Sequence, residues 1–162
     1  MMGCGKSAVG ERLAAQLAIP FFDVDKEIEK QQEQTIPELF EHHGEAYFRI
    51  LEREMTSNLM EHGPCIIATG GGAFMNEQTR ELILNMAITV WIYGDFEVLY
   101  ERVSRKDNRP LLESGDKAAI LKELMAKRYP VYELAPVKVT TSTGPHEETV
   151  QRIINAIEEY AS

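Results

Sequence analysis

Basic residues are the minority charge in this chain: Lys and Arg total 17 against 26 Asp and Glu, a formal net charge of -9. A general nucleic-acid binder needs a basic excess to displace counterions from phosphates, and none exists here. Any anionic ligand must instead be held by a few focused Lys and Arg side chains. Cysteine is scarce too. Cys4 and Cys65 are the only two, too few for a disulfide framework, which fits a reducing cytosol. No uninterrupted apolar run approaches the length of a membrane span, and the N-terminus shows no signal-peptide core, so no membrane role is expected. Repeats and low-complexity tracts are absent. What remains is a chain of 162 residues, 44% hydrophobic and 27% charged. Those proportions predict one soluble, cytoplasmic domain over residues 1–162, large enough to bury roughly 70% of its unfolded surface.

Against that ordinary background the first stretch stands out. Gly3-Cys4-Gly5-Lys6-Ser7 reads as the back half of a phosphate-binding loop, G-x-x-x-x-G-K-[ST]. Glycines let successive backbone N–H groups approach phosphate oxygens with no Cβ in the way. Lysine brings a point charge to the β/γ-phosphates, the serine hydroxyl ligates Mg²⁺, and the following helix aims its positive end at the same anion. The competing reading is a flexible glycine-rich terminus, and only the downstream context decides. The motif's first glycine would fall one position before Met1, so the buried strand that feeds such a loop is not in this sequence. The expectation is a longer natural chain in which Met1 and Met2 are interior loop residues.

Downstream, apolar residues at helical spacing over residues 7–18 continue the loop into a helix. Phe21-Phe22-Asp23-Val24-Asp25 reads as a short strand with acidic residues at its C-terminal end. Thr35-Ile36-Pro37-Glu38 is a helix start with a capping box, and the helical pattern runs to about residue 61 with a break near Gly44. Residues 64–69 read as a strand ending in Gly70-Gly71-Gly72. Asn76 caps a helix to about residue 86, and residues 88–93 form a strand. Asp95 then caps a helix to about residue 104. Residues 105–116 lack periodicity and read as a loop. A helix to about Tyr129, a strand over 137–141 and a terminal helix opened by Pro145 complete the chain. Strands alternating with helices predict an α/β fold with a parallel sheet flanked by helices on both faces, its first, central strand missing here. Ligands in such folds sit beyond the C-terminal strand ends, where the phosphate loop, Asp23/Asp25, the glycine triplet and the turn at 140–145 all fall.

In order and spacing, Gly3-Cys4-Gly5-Lys6-Ser7, Phe22-Asp23-Val24-Asp25 with Ile28-Glu29, Phe48-Arg49-Ile50-Leu51-Glu52, Gly70-Gly71-Gly72-Ala73, Arg109-Pro110-Leu111-Leu112 and Lys127-Arg128-Tyr129-Pro130-Val131-Tyr132 resemble shikimate kinase. The resemblance covers nearly the whole chain. It implies a P-loop kinase fold and Mg²⁺-requiring transfer of phosphate from ATP to the 3-hydroxyl of shikimate, a step of aromatic amino-acid biosynthesis. It implies that Lys6, Asp25 and Arg109 are catalytic, with Asp25 orienting the acceptor hydroxyl. Gly3, Cys4, Gly5, Lys6, Ser7, Ala8, Arg102, Arg109 and Thr143 would contact ATP, with Arg102 stacking on adenine. Asp25, Arg49, Gly70, Gly71, Gly72 and Arg128 would hold shikimate, the two arginines gripping its carboxylate by forked donors. Ser7, and Asp23 through water, would serve Mg²⁺. The substrate region would span about 26–61 and a lid about 105–116, in a monomer.

Plainer readings stand beside these. Asp23 and Asp25, two apart on an extended strand end, share one side of it, or else merely cap the helix at Lys26. Arg49 and Arg128 read singly as solvated helix arginines, and the glycine triplet as a plain turn. Phe40 and Phe48 wall a cleft or fill the core. Adjacent His42 and His43 point to different helix faces, so they make no i,i+4 metal pair. Trp91 is core, and Cys4 a small loop residue. Other functions remain open: a gluconate or nucleoside monophosphate kinase of the same fold, or a degenerate nucleotide-binding regulator. The joint presence of Asp25, Arg49, Arg109 and Arg128 argues for a hydroxylated carboxylic acid.

Overall fold

The structure is a computed structural model that describes residues 1, 3–104 and 116–162. Contacts gather the described residues into two compact units, Gly10–Ile88 and Met1–Val9 with Thr89–Ser162. The first helix, α1 (Lys6–Leu17), runs through the division.

In the unit Gly10–Ile88, strand β1 (Phe21–Asp23) pairs in parallel with β2 (Ile66–Ala68), Phe22 opposite Ile67 and Asp23 opposite Ala68. Helix α2 (Val24–Gln32) follows β1 without a loop, burying Val24 and Ile28 one turn apart, and carries Asp25 and Glu27 in its first turn. Helix α3 (Ile36–Met60) begins with the expected capping box: Thr35 Oγ1 accepts from Glu38 N–H, and Glu38 accepts from Thr35 N–H at 2.7 Å. It breaks where expected, at Gly44, whose φ of 81° and ψ of 172° lie outside helical geometry. A 3₁₀ turn (Ala73–Met75) follows the glycine triplet, and Asn76 caps α4 (Glu77–Met86) by accepting from Thr79 N–H. Val24, Ile28, Leu39, Phe48 and Leu59 make the core, with Phe22, Phe40, Leu51 and Ile67 packed around it.

In the other unit, β3 (Val90–Tyr93) pairs in parallel with β4 (Val137–Thr140). Val137 and Val139 are buried while Lys138 and Thr140 are exposed, so β4 buries one face. Helix α5 (Phe96–Ser104) starts from Asp95, whose carbonyl accepts Leu99 N–H and whose side chain takes the Tyr93 hydroxyl at 2.8 Å. Asp116 caps α6 (Lys117–Tyr132), and α7 (His146–Ala161) buries Thr149, Val150 and Ile153. No helix among the described residues is long and apolar enough to cross a membrane.

Two expectations are corrected. Asp25 does not lie on an extended strand end: the chain turns helical at Val24, so Asp23 is the N-cap position and Asp25 belongs to the first turn of α2. Burial of Val24 and Ile28 on one helix face outweighs the strand character of the preceding residues. Helix α6 does not stop at Tyr129 but continues past Pro130 to Tyr132. Glu133 N–H still reaches Tyr129 O at 3.0 Å, and the buried Tyr132 holds the last turn in place. The expected lid and Arg109 lie outside the described residues, apart from Asp116.

Two substitutions separate tertiary from local contributions in the first unit. Leu39→Ala removes a side chain with 0% exposure and is expected to cost about 2–5 kcal/mol. Thr35→Ala loses only the cap and should cost about 1 kcal/mol. Urea unfolding of both variants checks the ranking; equal losses would contradict it.

Candidate active site

The phosphate loop is built from backbone first. Gly3 and Gly5 adopt φ of 77° and 82°, the left-handed region that an L side chain resists. The Gly5 carbonyl accepts Val9 N–H at 2.9 Å, so the loop passes straight into α1, with Lys6, Ser7 and Ala8 in its first turn. Lys6 Nζ donates to the Met1 carbonyl at 3.0 Å, folding the ammonium back over the loop. Arg102, from α5, donates Nη1 to Gly3 O and to Thr141 Oγ1, both at 3.3 Å, and Nη2 to Ser142 O. One guanidinium thus ties the loop to the turn after β4, which also carries Thr143. Cys4 is buried and its thiol donates to Met1 O at 2.9 Å. Burial pushes the Cys4 thiol up, but the Lys6 ammonium and the Met1 amine outweigh it and hold the group below its ordinary value.

His146, the first residue of α7, lies outside the set expected from the sequence. Its Cε1 lies 3.1 Å from where a Gly5 Cβ would stand, next to Arg102 Nη1 at 3.4 Å. A loop glycine set against Arg102 and His146 carries no signal in one dimension, because 141 residues separate it from His146.

In the unit Gly10–Ile88 a second constellation forms around the glycine triplet. A Cβ on Gly70 would stand 2.9 Å from Glu52 Oε1 and 3.2 Å from Asp25 Oδ1, while one on Gly72 would overlap the Arg49 guanidinium. The triplet is therefore more than a turn. Its missing side chains are the space that Asp25, Arg49 and Glu52 occupy, with Gly71 between. Arg49 is not a solvated arginine. Nη1 donates to Glu52 Oε2 at 2.6 Å, Nη2 and Nε donate to Glu45 Oε1, and its Cζ sits 5.3 Å from the Phe48 ring centroid. Burial would lower the Arg49 pKa, but Glu52 and Glu45 raise it, so the guanidinium stays charged. Phe48 itself is core, its ring tilted against that of the half-buried Phe40 with centroids 4.9 Å apart.

Glu52 is the residue this site adds to the expected set. It is 0% exposed, and its Oε1, facing Gly70, is buried and accepts no hydrogen bond among the described residues. Burial pushes its carboxyl above the ordinary value; the Arg49 bond pulls the other way, and Asp25 and Glu45 add to the rise. The Arg49–Glu52 spacing of three on a helix was the available signal, since such residues share a face.

Among the described residues no group of three or more His, Cys, Asp or Glu is arranged to hold a metal by itself. A nucleotide-bound Mg²⁺ does not need one, as phosphates and waters supply most of its octahedron. Ser7, on the first turn of α1 at the loop, offers the one hydroxyl such an ion takes, so the residues present fit it. Asp23 ends β1 in the other unit, and Arg128 lies half-buried on α6. His42 and His43 are exposed, His42 meeting Gln34 at 3.2 Å. Trp91 is core, as expected.

A family model described as shikimate kinase matches residues 2–158. This chain belongs to the shikimate kinase family. A shikimate kinase of Mesorhizobium japonicum is 46% identical over 157 residues, taking in 97% of this chain and 77% of that protein. Among solved structures, shikimate kinase from Acinetobacter baumannii in complex with shikimate superposes with a TM-score of 0.90 at 36% identity, over 98% of this chain and 89% of that one. The shikimate kinase of Aquifex aeolicus gives a TM-score of 0.86 at 40% identity, covering 99% and 94% respectively. The fold class expected from strand–helix alternation, a P-loop α/β kinase, agrees with these neighbours.

The Glu52 carboxyl makes a pH test possible. Because its folded pKa is raised, the native state binds the proton more tightly than the unfolded chain does. Its contribution to stability is therefore fullest below its unfolded value and declines as pH rises through the folded one. The stability of the parent relative to Glu52→Gln is expected to fall as pH rises through and above the ordinary carboxylate range, followed by urea midpoints. A relative stability that grows over that range would mean the Arg49 pair, not burial, dominates.

Proposed function

We propose that this chain transfers the γ-phosphoryl group of ATP to the 3-hydroxyl of shikimate. The observation that carries the reading is the cluster of Asp25, Arg49 and Glu52 packed into the space left open by Gly70 and Gly72. It offers a carboxylate for a hydroxyl and a fixed, charged guanidinium for an acid. Gluconate would also present a carboxylate and hydroxyls, but family membership favours the cyclic acid.

In this mechanism Arg49 and Arg128 bind the substrate carboxylate through forked donors, and backbone N–H groups of the glycine triplet approach the ring. Asp25 orients the 3-hydroxyl and takes its proton as the oxygen–phosphorus bond forms. The bond from Pγ to the bridging β-oxygen breaks, and ADP leaves with the electron pair. Lys6 and the loop amides, with Gly3, Cys4, Gly5, Ser7 and Ala8 along the phosphates, stabilise charge there. Arg102 and Thr143 serve the adenine side, and Arg109, in a lid over about 105–116, adds charge at transfer and helps exclude water. Ser7, and Asp23 through water, would hold the Mg²⁺ that accompanies the nucleotide, and its charge would offset that of the phosphates. The substrate region is 26–61 of a single kinase domain, working as a cytoplasmic monomer.

A coupled ADP-release assay over a panel of acids is expected to respond to shikimate and not to gluconate; no shikimate response above the water blank sinks the proposal. Asp25→Asn, which keeps the shape, is expected to lower kcat by about 10²-fold with KM for ATP little changed. A kcat within about threefold of the parent would remove Asp25 from the chemistry.

A further inference from the structure

Arg128 sits in the weakest turn of its helix. Two residues later comes Pro130, inside α6, which has no N–H to give the carbonyl four residues back and whose ring crowds that carbonyl. The backbone turn that carries Arg128 therefore lacks one of its hydrogen bonds. A side chain supplies a bond in its place. The Tyr129 hydroxyl donates to the Gly94 carbonyl at 2.5 Å, and its ring lies among Trp91 at 5.0 Å, Tyr93 at 5.4 Å and Tyr132 at 6.3 Å.

Gly94 is a firm anchor. A Cβ there would stand 2.7 Å from Leu99 Cδ2 and 3.4 Å from Thr141 Cγ2, so the backbone is wedged between side chains. The residue before it, Tyr93, accepts Thr141 N–H at 2.7 Å, continuing the β3–β4 pairing. From the geometry we infer that Tyr129 is a positioning residue for Arg128, its hydroxyl pinning the proline-weakened turn of α6 to the end of β3. The inference rests on the reading above that Arg128 binds the substrate carboxylate. Burial pushes the Tyr129 phenol far above its ordinary value, so the hydroxyl remains a donor throughout the working pH range. Arg102 is held by Gly3, Thr141 and Ser142, and the Tyr129 hydroxyl is not among its partners, so loss of that hydroxyl removes no bond from the nucleotide side. Forked recognition of a carboxylate tolerates little displacement, and shifts of about 1 Å in a positioning group are enough to cost large factors.

Tyr129→Phe deletes the hydroxyl and keeps the ring. It is expected to raise KM for shikimate about five- to tenfold, with KM for ATP within about twofold and the melting temperature little changed. Trp91 is the only tryptophan, and its ring is 5.0 Å from Tyr129, so an unchanged emission spectrum reports that the packing is intact. Arg128→Ala is measured alongside. If it raises KM for shikimate while Tyr129→Phe does not, the positioning role is overturned and the carboxylate reading stands. If Arg128→Ala leaves KM for shikimate unchanged, the carboxylate reading fails and this inference falls with it. If Tyr129→Phe shifts Trp91 emission, lowers the melting temperature and raises both KM values together, the bond is structural only and the inference is overturned.

Discussion

A carboxylate with no exposure must be answered by a cation or be neutral, and the answer here is Arg49. Isolated, the buried charge of Glu52 would cost several kcal/mol; hydrogen-bonded at 2.6 Å to a guanidinium on its own helix, it becomes a fixed part of the site. The dependence runs outward from that pair. Arg49 is oriented from two sides, by Glu52 and Glu45, so the plane of its fork is set by the protein's own carboxylates. Its position in turn demands glycine at 72, and the Glu52 and Asp25 carboxylates demand glycine at 70. Helix α3, which carries the pair, is placed by the capping box at Thr35, the break at Gly44, and the burial of Leu39, Phe48 and Leu59.

The phosphate loop solves a different problem, that of attracting an anion in a protein of net charge -9. It does so with few cations and much backbone. Gly3 and Gly5 take left-handed conformations that turn the loop, α1 adds its positive end, and Lys6 and Arg102 are held by carbonyl oxygens of the loop and the neighbouring turn. Among the described residues both cations are held by carbonyl and hydroxyl oxygens, which carry no net charge to cancel theirs.

Much of this was legible in the linear chain because its causes are local. A capping box, an asparagine cap, a helix break at glycine and the strand–helix alternation depend on residues a few positions apart, and each was found where its signal lay. The nearby errors were local contests as well. Asp25 went into α2 because burying Val24 and Ile28 favours a helix, and α6 outran Tyr129 because the buried Tyr132 lies beyond Pro130.

The sequence by itself determined the kinds of group available: glycines, a loop lysine, an acidic pair, arginines within recognisable blocks. Only the tertiary structure decided which of them touch and in what electrical state. That Gly70 faces Glu52, that Gly72 faces Arg49, that His146 lies against Gly5, and that Tyr129 reaches Gly94 are contacts between residues from 18 to 141 positions apart. Sequence spacing sets no distance between such residues. Burial, which raises the Glu52 carboxyl and the Tyr129 phenol, is likewise a property of everything packed around a group, so it exists only once the chain has folded.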